Sequence, residues 1–348
     1  MKVGIHFDQI NKFSKFSEKY EKILSYNNIE SIRLDINHYD FWDRLKETDF
    51  FIFRRGVRDD HTQLAEAILP IIENEMGIKC FPDIATCWHY DDKIKQYYLL
   101  RQKGLPIIES WIFWEKGKAL EFIENAEFPL VFKLKGGGGS SNVILIQSKK
   151  QAVRVIKKMF GRGIKLFFIP DKNSIKNKYF EPLNYMKKKA IKFKKLIEGR
   201  SVIIPHWQVE KNYVYFQKFL PNNLNDIRIT IIGDRAFGFR RFNRKDDFRA
   251  SGSGLIDYEN VKIDSAIIKE AFITSDQLGV QSMAYDFLYN EKNEPKFCEM
   301  SYIYIDKTLY DCPGYWDKNL NWHEGHFWPQ YLHLMDLLSL PDLKQPEF

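Results

Sequence analysis

Cysteine is scarce in this chain, and long apolar runs are missing. Its 348 residues include four cysteines, Cys80, Cys87, Cys298 and Cys312, and no C-x-x-C pair. The segment Met1–Phe7 enters a strand-like pattern without a secretory apolar region, so reduced, structural cysteines are expected. No apolar stretch approaches the roughly 20 residues of a bilayer-spanning helix. We therefore expect a cytoplasmic protein with no transmembrane segment.

Excess positive charge is missing from most of the chain. The net charge is +7, but residues 172–200 hold ten Lys or Arg and two Glu, a local balance of +8 that leaves the rest at −1. Because the basic pI comes from one segment, it does not indicate that the rest of the protein binds nucleic acid, and no nucleic-acid partner is expected. The Lys-rich segment 172–200 is either a solvated face or loop, or a binding site for a polyanion or an anionic membrane surface.

Strand-like and helix-like runs alternate over roughly the first 90 residues. Strands are predicted at 2–7, 31–36 and 49–54, and helices at 15–27, 39–47 and 60–76. In the last of these helices, apolar residues recur at spacings of three and four. Such alternation indicates a small parallel α/β layer.

The rest of the chain is interrupted by a basic stretch. Helices are predicted from 93 to about 104 and at 116–126, 149–160 and 264–278, and strands at 214–220, 226–232, 236–242, 283–289 and 296–302. Gly233–Asp234 is predicted to be a two-residue hairpin turn. The expected parts are an N-terminal α/β domain at 1–90, a smaller lobe with a glycine-rich hairpin at 91–165, a basic insertion or connection at 166–212, and a larger lobe with an aromatic-rich C-terminal cap at 213–348.

The most informative motif is a lysine followed by a glycine run. Lys133 ends an apolar run, the loop Gly136–Ser141 follows, and a second apolar run occupies 142–146. Glycines let backbone N–H groups approach anionic oxygens closely, although a glycine run can also be a flexible hairpin tip. The order strand, loop, strand excludes a P-loop, a dinucleotide fingerprint and a protein-kinase loop. Those motifs need a helix after the glycines or a lysine on the following strand.

An ordered set of motifs resembles the ATP-grasp superfamily, nearest in pattern to ribosomal-protein glutamate ligases and glutathione synthetases. The matching parts cover roughly 90–305 and are Asp92-Lys93 before a helix, Pro129–Lys133 with its glycine loop, Tyr215–Leu220, Asp226–Gly233, Arg240-Arg241, Asp247–Arg249, Asp286 and Glu299. The resemblance implies a mixed α/β and α+β fold. A parallel N-terminal domain would precede two α+β lobes that clasp ATP.

The resemblance also implies a nucleotide site. Two lysines would contact phosphate oxygens as point charges, the glycine loop would close over the phosphates, and the strand end at 217–220 would contact adenine. The family usually has a glutamate where Lys218 stands. The residues implied for ATP binding are Lys93, Lys133, Gly136, Gly137, Gly138, Gly139, Ser140, Gln217, Phe219, Leu220 and Asp226.

A metal site is implied by two acids inside apolar strands. Asp286 and Glu299 are costly to bury unless they are metal-bound or paired with nearby arginines. The resemblance implies that they bind Mg²⁺, with Mn²⁺ as a possible substitute. Ser301 stands where the family usually has an asparagine, and its hydroxyl or a water would complete the site.

Three arginines resemble those that hold a substrate carboxylate and the transferred phosphate in this superfamily. They are Arg228, Arg241 and Arg249, and surface ion pairs are the alternative role for each. Adjacent strand residues point to opposite faces, so Arg240 and Arg241 cannot both face the site. We choose Arg241.

The implied reaction joins a carboxylate to an amine at the expense of ATP, through an acyl phosphate. An amino acid and a sugar acid in surface-polysaccharide assembly are the predicted substrates. The aromatic tail 302–334 either stacks on sugar rings or packs the C-terminal part. A small-molecule kinase on the same fold and a non-catalytic ATP-binding regulator are the alternatives. The sequence does not fix the oligomeric state.

Overall fold

A computed structural model describes residues 1–7, 15–54, 59–137, 142–165 and 209–348. Within these ranges the chain forms three principal sheets, called first, second and third in chain order. Strands and helices are numbered along the chain. Most of the predicted basic insertion, including the Lys-rich segment 172–200, lies outside the described residues. None of the helices in the described ranges has the length and apolarity that crossing a membrane requires.

The first sheet is parallel, as the alternating pattern predicts. Its strands are β1 (Lys2–His6), β2 (Glu30–Leu34), β3 (Phe50–Ile52) and β4 (Lys79–Phe81), in the order β2-β1-β3-β4. The helices of this part are α1 (Lys15–Tyr26), α2 (Phe41–Leu45), α3 (Asp59–Pro70) and α4 (Ile84–Cys87). Helices on its faces explain why the inner strands β1 and β3 read as short apolar runs.

One predicted helix of this part changes type along its length. The predicted helix 60–76 is α-helical to Pro70 and continues as a π-helical segment, Ile71–Glu75. Proline has no N–H to donate and its ring crowds the preceding turn. A wider hydrogen-bonding turn is one way to continue the helix past that point, and the Met76 N–H accordingly reaches back to the Ile71 carbonyl at 3.0 Å.

The second sheet is antiparallel and has its own core. Its strands are β5 (Ser110–Phe113), β6 (Leu130–Lys133), β7 (Val143–Ile146) and β10 (Val214–Lys218), in the order β5-β10-β6-β7. The associated helices are α5 (Lys93–Gln102), α6 (Lys116–Asn125) and α7 (Lys149–Met159). A two-stranded ribbon, β8 (Ile164–Lys165) with β9 (Val209–Glu210), lies beside them. The core of the second sheet includes the buried side chains of Ile123, Phe132, Ile156 and Phe216.

The third sheet is antiparallel and the largest. Its strands are β11 (Asn225–Ile232), β12 (Arg235–Phe242), β13 (Ile256–Asp257), β14 (Ser282–Tyr289), β15 (Pro295–Ser301), β16 (Gly314–Asp317) and β17 (Trp322–Glu324). The order is β15-β14-β11-β12-β16-β17, with β13 also paired to β12. The helices are α8 (Ser265–Leu278), α9 (Asp306–Tyr310) and α10 (Pro329–Leu338), and a 3₁₀ turn spans Asn260–Lys262. Ile232 pairs with Arg235, which confirms the predicted turn at Gly233–Asp234.

The first and third sheets share one hydrophobic core. Phe51 and Phe53 from the first sheet belong to the same buried cluster as Ile229 and Phe287 from the third. The final helix α10 packs against the first sheet as well, through leucines such as Leu334. All nine tyrosine, tryptophan and phenylalanine residues of the tail 302–334 are buried or partly buried. Tyr302, Tyr304, Trp316 and Trp328 are buried, which favours the packing interpretation.

A buried polar chain fastens the last helix to the rest. His333 in α10 hydrogen-bonds Tyr20 of α1 through Nδ1 at 2.8 Å and Tyr304 through Nε2 at 2.7 Å, and Tyr304 also contacts the Ser282 hydroxyl at 2.7 Å. Burial lowers the pKa of His333 well below its usual value, so the ring is neutral at pH 7 and its two nitrogens serve as hydrogen-bonding groups.

Candidate functional site

A cleft lies between the second and third sheets, and most of the predicted site residues line it. Its volume is about 340 Å³. The predicted residues that line it are Lys133, Gln217, Phe219, Leu220, Asp226, Arg249, Asp286 and Glu299, and Lys218 lies among them. Residues from roughly 130 to 300 in the chain therefore meet in one space. Of the other predicted residues in the described ranges, Lys93 and Gly137 border this space through contacts given below.

Lys133 is the last residue of β6 and points toward the third sheet. Its side chain is buried, and its Nζ donates to the Cys298 carbonyl on β15 at 3.4 Å. Tyr215 lies opposite Lys133 in the β6–β10 register. Alternation along β6 places Phe132 in the core of the second sheet and Lys133 in the cleft.

Lys93 begins α5 and reaches both sheets. The preceding residue, Asp92, caps the helix by accepting the N–H groups of residues 94 and 95, each at 3.0 Å. Lys93 Nζ donates to the Gly137 carbonyl at 2.9 Å and lies 3.1 Å from Glu299 Oε1. Burial lowers the pKa of Lys93, but the charges of Glu299 and Asp91 outweigh burial, and the net pKa is raised. The buried ammonium is therefore charged.

The first part of the glycine loop is held from several sides. Gly138, Gly139 and Ser140 lie outside the described residues, whereas Gly136 and Gly137 are described. Gly137 has φ +99°, and a Cβ there would lie 2.0 Å from Asn142 Nδ2. Asn142 Nδ2 also donates to the Gly136 carbonyl at 3.3 Å. Both conformation and space thus require glycine at 137.

A tyrosine–glutamate pair fixes the entry to the loop. The Lys135 N–H donates to the Tyr213 hydroxyl at 2.9 Å, and that hydroxyl donates to Glu210 Oε2 at 2.8 Å. Burial and the Glu210 carboxylate raise the pKa of Tyr213 well above its usual value. The hydroxyl proton therefore stays on the tyrosine, which can donate to the acid while accepting from the backbone.

Two acids and two arginines form a network on one face of the third sheet. Arg228 lies opposite Asp286 in the β11–β14 register and binds it with two parallel hydrogen bonds of 2.6 and 2.8 Å. Arg241 lies opposite Asp226 in the β11–β12 register and binds it at 2.7 and 2.6 Å. Arg241 Nη2 is also 2.7 Å from Asp286 Oδ2. Such paired forks are strong and directional.

The network shifts the acidity of its members in opposite directions. Burial opposes ionisation of Asp286, but the charges of Arg228 and Arg241 outweigh it and hold the Asp286 pKa well below its usual range. For Asp226 the effect of burial exceeds that of Arg241, and the pKa is raised. The two carboxylates raise the pKa of Arg241 despite its burial. Asp286 is therefore the firmly ionised acid of the pair.

Arg249 connects the third sheet's loop with the second sheet. Its guanidinium Nε and Nη2 donate to the Asp247 carboxylate, with a shortest distance of 2.6 Å, and Nη1 donates to the Val143 carbonyl on β7 at 3.3 Å. Phe248 packs edge-on against Phe219, with ring centres 5.7 Å apart. This loop therefore closes one side of the cleft. Arg240, by contrast, turns to the other face and pairs with Asp257.

Two acidic residues of the cleft, Asp286 and Glu299, could serve as protein ligands of a divalent cation. Asp286 and Glu299 lie opposite each other in the β14–β15 register, beside a bulge between Asp286 and Phe287. Among the described residues, Asp286 Oδ1 accepts one N–H, from Arg228, so one lone pair remains for a metal. In the described ranges no group of three His, Cys, Asp or Glu side chains is arranged to hold a metal ion. Magnesium commonly takes its remaining ligands from phosphate and water.

The third predicted metal ligand is engaged elsewhere. The Ser301 hydroxyl donates to the Ile303 carbonyl at 2.9 Å and accepts the Ile303 N–H at 3.1 Å. Ser301 lies opposite Ala284 rather than opposite an acid. Its side chain thus closes a local turn at the end of β15, and the structure does not bring it to the two carboxylates by any hydrogen bond.

Several cleft residues were missed by the sequence reasoning. Ile108, Val131 and Leu288 give the cleft its apolar walls, and Cys298 lies beside Lys133. For Val131, Leu288 and Cys298 the signal was proximity, since each lies one or two positions from a predicted site residue in a strand. Ile108 had no such signal, because no predicted site residue lies near it in the sequence. Asp91, whose carboxylate accepts the Gly137 N–H at 2.7 Å, had no local signal, because its partner is distant in the chain.

Comparison with known proteins bears on the fold. Residues 90–177 match a family model described as a RimK-like ATP-grasp domain. No curated protein sequence matches the chain. The resemblance noted in the sequence is thus supported by a family model that covers the glycine loop.

Solved structures resemble the whole chain. The N5-carboxyaminoimidazole ribonucleotide synthetase from Thermotoga maritima superposes with a TM-score of 0.59, at 13% identity, over 100% of this chain and 78% of that chain. The biotin carboxylase domain of 2-oxoglutarate carboxylase from Hydrogenobacter thermophilus, in complex with MgADP, ADP and bicarbonate, gives 0.58 at 11% identity, over 100% and 70%. D-alanine–D-alanine ligase from Bacillus anthracis gives 0.51 at 13% identity, over 87% of each chain. At these identities the likeness establishes the fold, and the predicted fold class is confirmed.

Proposed function

We propose that this chain, which has the ATP-grasp fold and carries a RimK-like ATP-grasp domain within residues 90–177, is an ATP-dependent carboxylate–amine ligase. The observation that carries the proposal is the meeting of Lys93 and Glu299 at 3.1 Å beside Lys133 and Asp286. Basic groups from the second sheet and acidic groups from the third thus surround one cleft. This combination suits a magnesium–triphosphate group, because the cations would neutralise phosphate and the acids would hold the metal.

The proposed nucleotide position follows from the chemistry of the cleft walls. Ile108, Val131 and Leu288 offer an apolar slot for the base, with Phe219 and Leu220 at its edge. Lys133 and Lys93 lie farther along the cleft as phosphate contacts. Lys218, which stands in place of the family's usual glutamate, is paired with Glu291 at 3.1 Å.

Asp286 and Glu299 are the residues proposed to hold Mg²⁺. Bound there, the metal would supply positive charge that offsets charge developing on the transferred phosphoryl group. Arg228 and Arg241 fix the orientation of the Asp286 carboxylate through three short contacts of 2.6 to 2.8 Å. Glu299 is fixed by Lys93. The chain's own contribution is to keep the Asp286 carboxylate ionised and to hold both acids at one edge of the sheet.

In the proposed reaction a substrate carboxylate attacks the γ-phosphorus of ATP, and the bond to the β–γ bridging oxygen breaks, giving an acyl phosphate and ADP. An amine then attacks the acyl carbon, phosphate leaves, and the amine loses a proton to give an amide. Arg249 is proposed to stabilise the transferred group, because it lies in the cleft and joins both sheets. Positioning and charge stabilisation are the main contributions expected of such a site.

For the substrates we propose an amino acid and a sugar acid, as in surface-polysaccharide assembly. This pairing is supported by the family resemblance of the motifs. The aromatic tail contributes no support, because Tyr302, Tyr304, Trp316 and Trp328 are buried.

A product assay tests the function. The protein is incubated with ATP, Mg²⁺ and a panel of carboxylates and amines, and ADP and free phosphate are measured. A ligase releases both ADP and phosphate only when a carboxylate and an amine are present together. ADP without free phosphate would indicate a kinase, and nucleotide binding without turnover would indicate a regulator.

Matched variants locate the activity in the cleft. Asp286→Asn and Glu299→Gln are expected to abolish turnover. Asp257→Asn is the control, because Asp257 pairs with Arg240 on the opposite face of β12, and it should retain activity. Undiminished turnover in both cleft variants would overturn the assignment of the metal site.

A further inference from the structure

Asp91 places a carboxylate at a backbone amide near the start of the glycine loop. Its Oδ1 accepts the Gly137 N–H at 2.7 Å, a short distance for a charge-assisted hydrogen bond. Asp91 itself has φ +55°, a left-handed conformation that Asp and Asn adopt more readily than most residues. The segment between α4 and α5 is therefore shaped so that this side chain faces the loop.

Two carboxylates thus contact hydrogen-bond donors that the proposed function (Lys93) and the family resemblance (the glycine loop) assign to phosphate. The Glu299 carboxylate lies 3.1 Å from the Lys93 ammonium, and the Asp91 carboxylate accepts the Gly137 N–H. Lys93 also donates to the Gly137 carbonyl at 2.9 Å, so the two contacts belong to one connected set. Asp91 is close enough for its charge to raise the pKa of Lys93. An anion that enters this part of the cleft therefore meets the Asp91 carboxylate, which already accepts the Gly137 N–H that the anion would use.

We propose that Asp91 is a positioning residue that holds the glycine loop through the Gly137 amide and competes with the nucleotide's phosphates for that amide. This inference rests on the proposed function, since it presumes that a nucleotide enters the cleft with its phosphates toward the loop. Backbone N–H groups in glycine-rich turns favour anions. A fixed carboxylate at such an amide stabilises the loop without ligand and repels a second negative charge.

The conformation of Asp91 provides two sharp variants. Asp91→Asn keeps an oxygen acceptor for the Gly137 N–H and suits φ +55°, so it removes the charge alone. Asp91→Gly tolerates the same φ and removes both the charge and the acceptor. The control is Glu66→Gln, which removes an exposed acid that pairs with Lys95 of α5 at 3.1 Å and tests for a general effect of nearby charge.

The experiment is calorimetric titration of the full chain and each variant with adenosine, ADP and ATP, without metal and with Mg²⁺. We expect Asp91→Asn to bind ADP and ATP roughly threefold to tenfold more tightly, a change of up to about 1.4 kcal/mol, with adenosine unchanged. Asp91→Gly should bind ADP and ATP less tightly than Asp91→Asn, since the loop loses its acceptor. Glu66→Gln should match the parent chain.

Each result decides the inference. Equal or weaker ADP and ATP binding by Asp91→Asn would overturn it while leaving the proposed function intact. An equal shift for adenosine would also overturn it, because adenosine carries no phosphate and would report a structural change. Weaker binding by Asp91→Asn seen only with Mg²⁺ would assign Asp91 to the metal instead. If the parent chain binds no adenine nucleotide, the proposed function itself fails, and this inference with it.

Discussion

Lys93 Nζ and Glu299 Oε1 are joined by an ion pair of 3.1 Å that links the start of α5 to β15. The pair is a direct side-chain contact between a cation that we propose to contact phosphate and an acid that we propose to hold the metal. Lys93 is buried, whereas the Glu299 side chain is one-third exposed at 33%. Because Lys93 is the buried partner, its position depends on this contact more than the position of Glu299 does.

Replacing Lys93 tests the bridge. Lys93→Met keeps the apolar stem and removes the charge, so we expect the KM for ATP to rise at least about tenfold, which corresponds to roughly 1.4 kcal/mol of lost binding. Steady-state kinetics with varied ATP measure this change. Lys95→Met is the control, because Lys95 lies on the same helix, is partly exposed and pairs with Glu66. An unchanged KM in Lys93→Met would contradict the phosphate role.

Asp286 should matter for stability as well as for turnover. Asp286→Asn leaves Arg228 without its forked partner and removes one of the two acids beside buried Arg241. Loss of a buried ion-pair partner typically costs about 3 to 5 kcal/mol. Urea unfolding, read by circular dichroism, should show a drop of this size, whereas Asp257→Asn should cost less because its pair is more exposed. A drop below about 1 kcal/mol would argue against a tight network.

Gly137→Ala tests whether the loop entry requires glycine. The new Cβ would lie 2.0 Å from Asn142 Nδ2, and φ +99° is strained for alanine. We expect nucleotide affinity to fall by more than about tenfold, with a stability loss of roughly 1 to 3 kcal/mol. Titration with ATP and thermal unfolding provide the two measurements. Gly117→Ala is the control, since Gly117 lies in α6 with nothing within 4 Å of its added Cβ.

Glu73 gives a pH prediction outside the cleft. Burial raises the pKa of this carboxyl to about 7, although its oxygens accept the Ile84 N–H at 3.1 and 3.2 Å. An acid whose folded-state pKa is raised binds more protons folded than unfolded, so stability falls as pH rises. The fall should occur between the unfolded value near 4.3 and about 7 and then level off.

The corresponding variant is Glu73→Gln, which keeps an oxygen acceptor for the Ile84 N–H. Urea midpoints measured from pH 4 to pH 8 should decline less in this variant than in the parent chain. Glu75→Gln, at an exposed neighbouring site, serves as the control and should follow the parent. Parallel curves for the parent and Glu73→Gln would show that Glu73 does not carry the pH dependence.

The sequence predicted features that depend on local order. Lys133 could be placed because alternation along β6 and the following glycines are visible in the chain. Asp286 and Glu299 stood out as acids inside apolar strands, and the structure pairs them across β14 and β15. The sequence also showed that Arg240 and Arg241 cannot both face the site, because neighbouring residues on a strand point to opposite sides.

What could not be predicted depends on distant pairing. The fork between Arg228 and Asp286 requires the β11–β14 register, which no local pattern specifies. The contact of Asp91 with Gly137 requires the packing of α5 against the second sheet. The change to a π-helical segment after Pro70 depends on how that helix accommodates a missing N–H donor. Boundaries differ for similar reasons: β10 ends at Lys218, two residues before the predicted end, where the chain enters the cleft.

The sharing of one core by the first and third sheets has a mechanical consequence. With α10 bound to α1 through His333 and Tyr20, these two sheets form a single base, whereas the second sheet keeps a separate core. Any opening of the cleft would then have to move the second sheet relative to this base. Such a movement would break the contacts that cross the cleft. Among them are the hydrogen bonds from Arg249 to the Val143 carbonyl and from Lys133 to the Cys298 carbonyl.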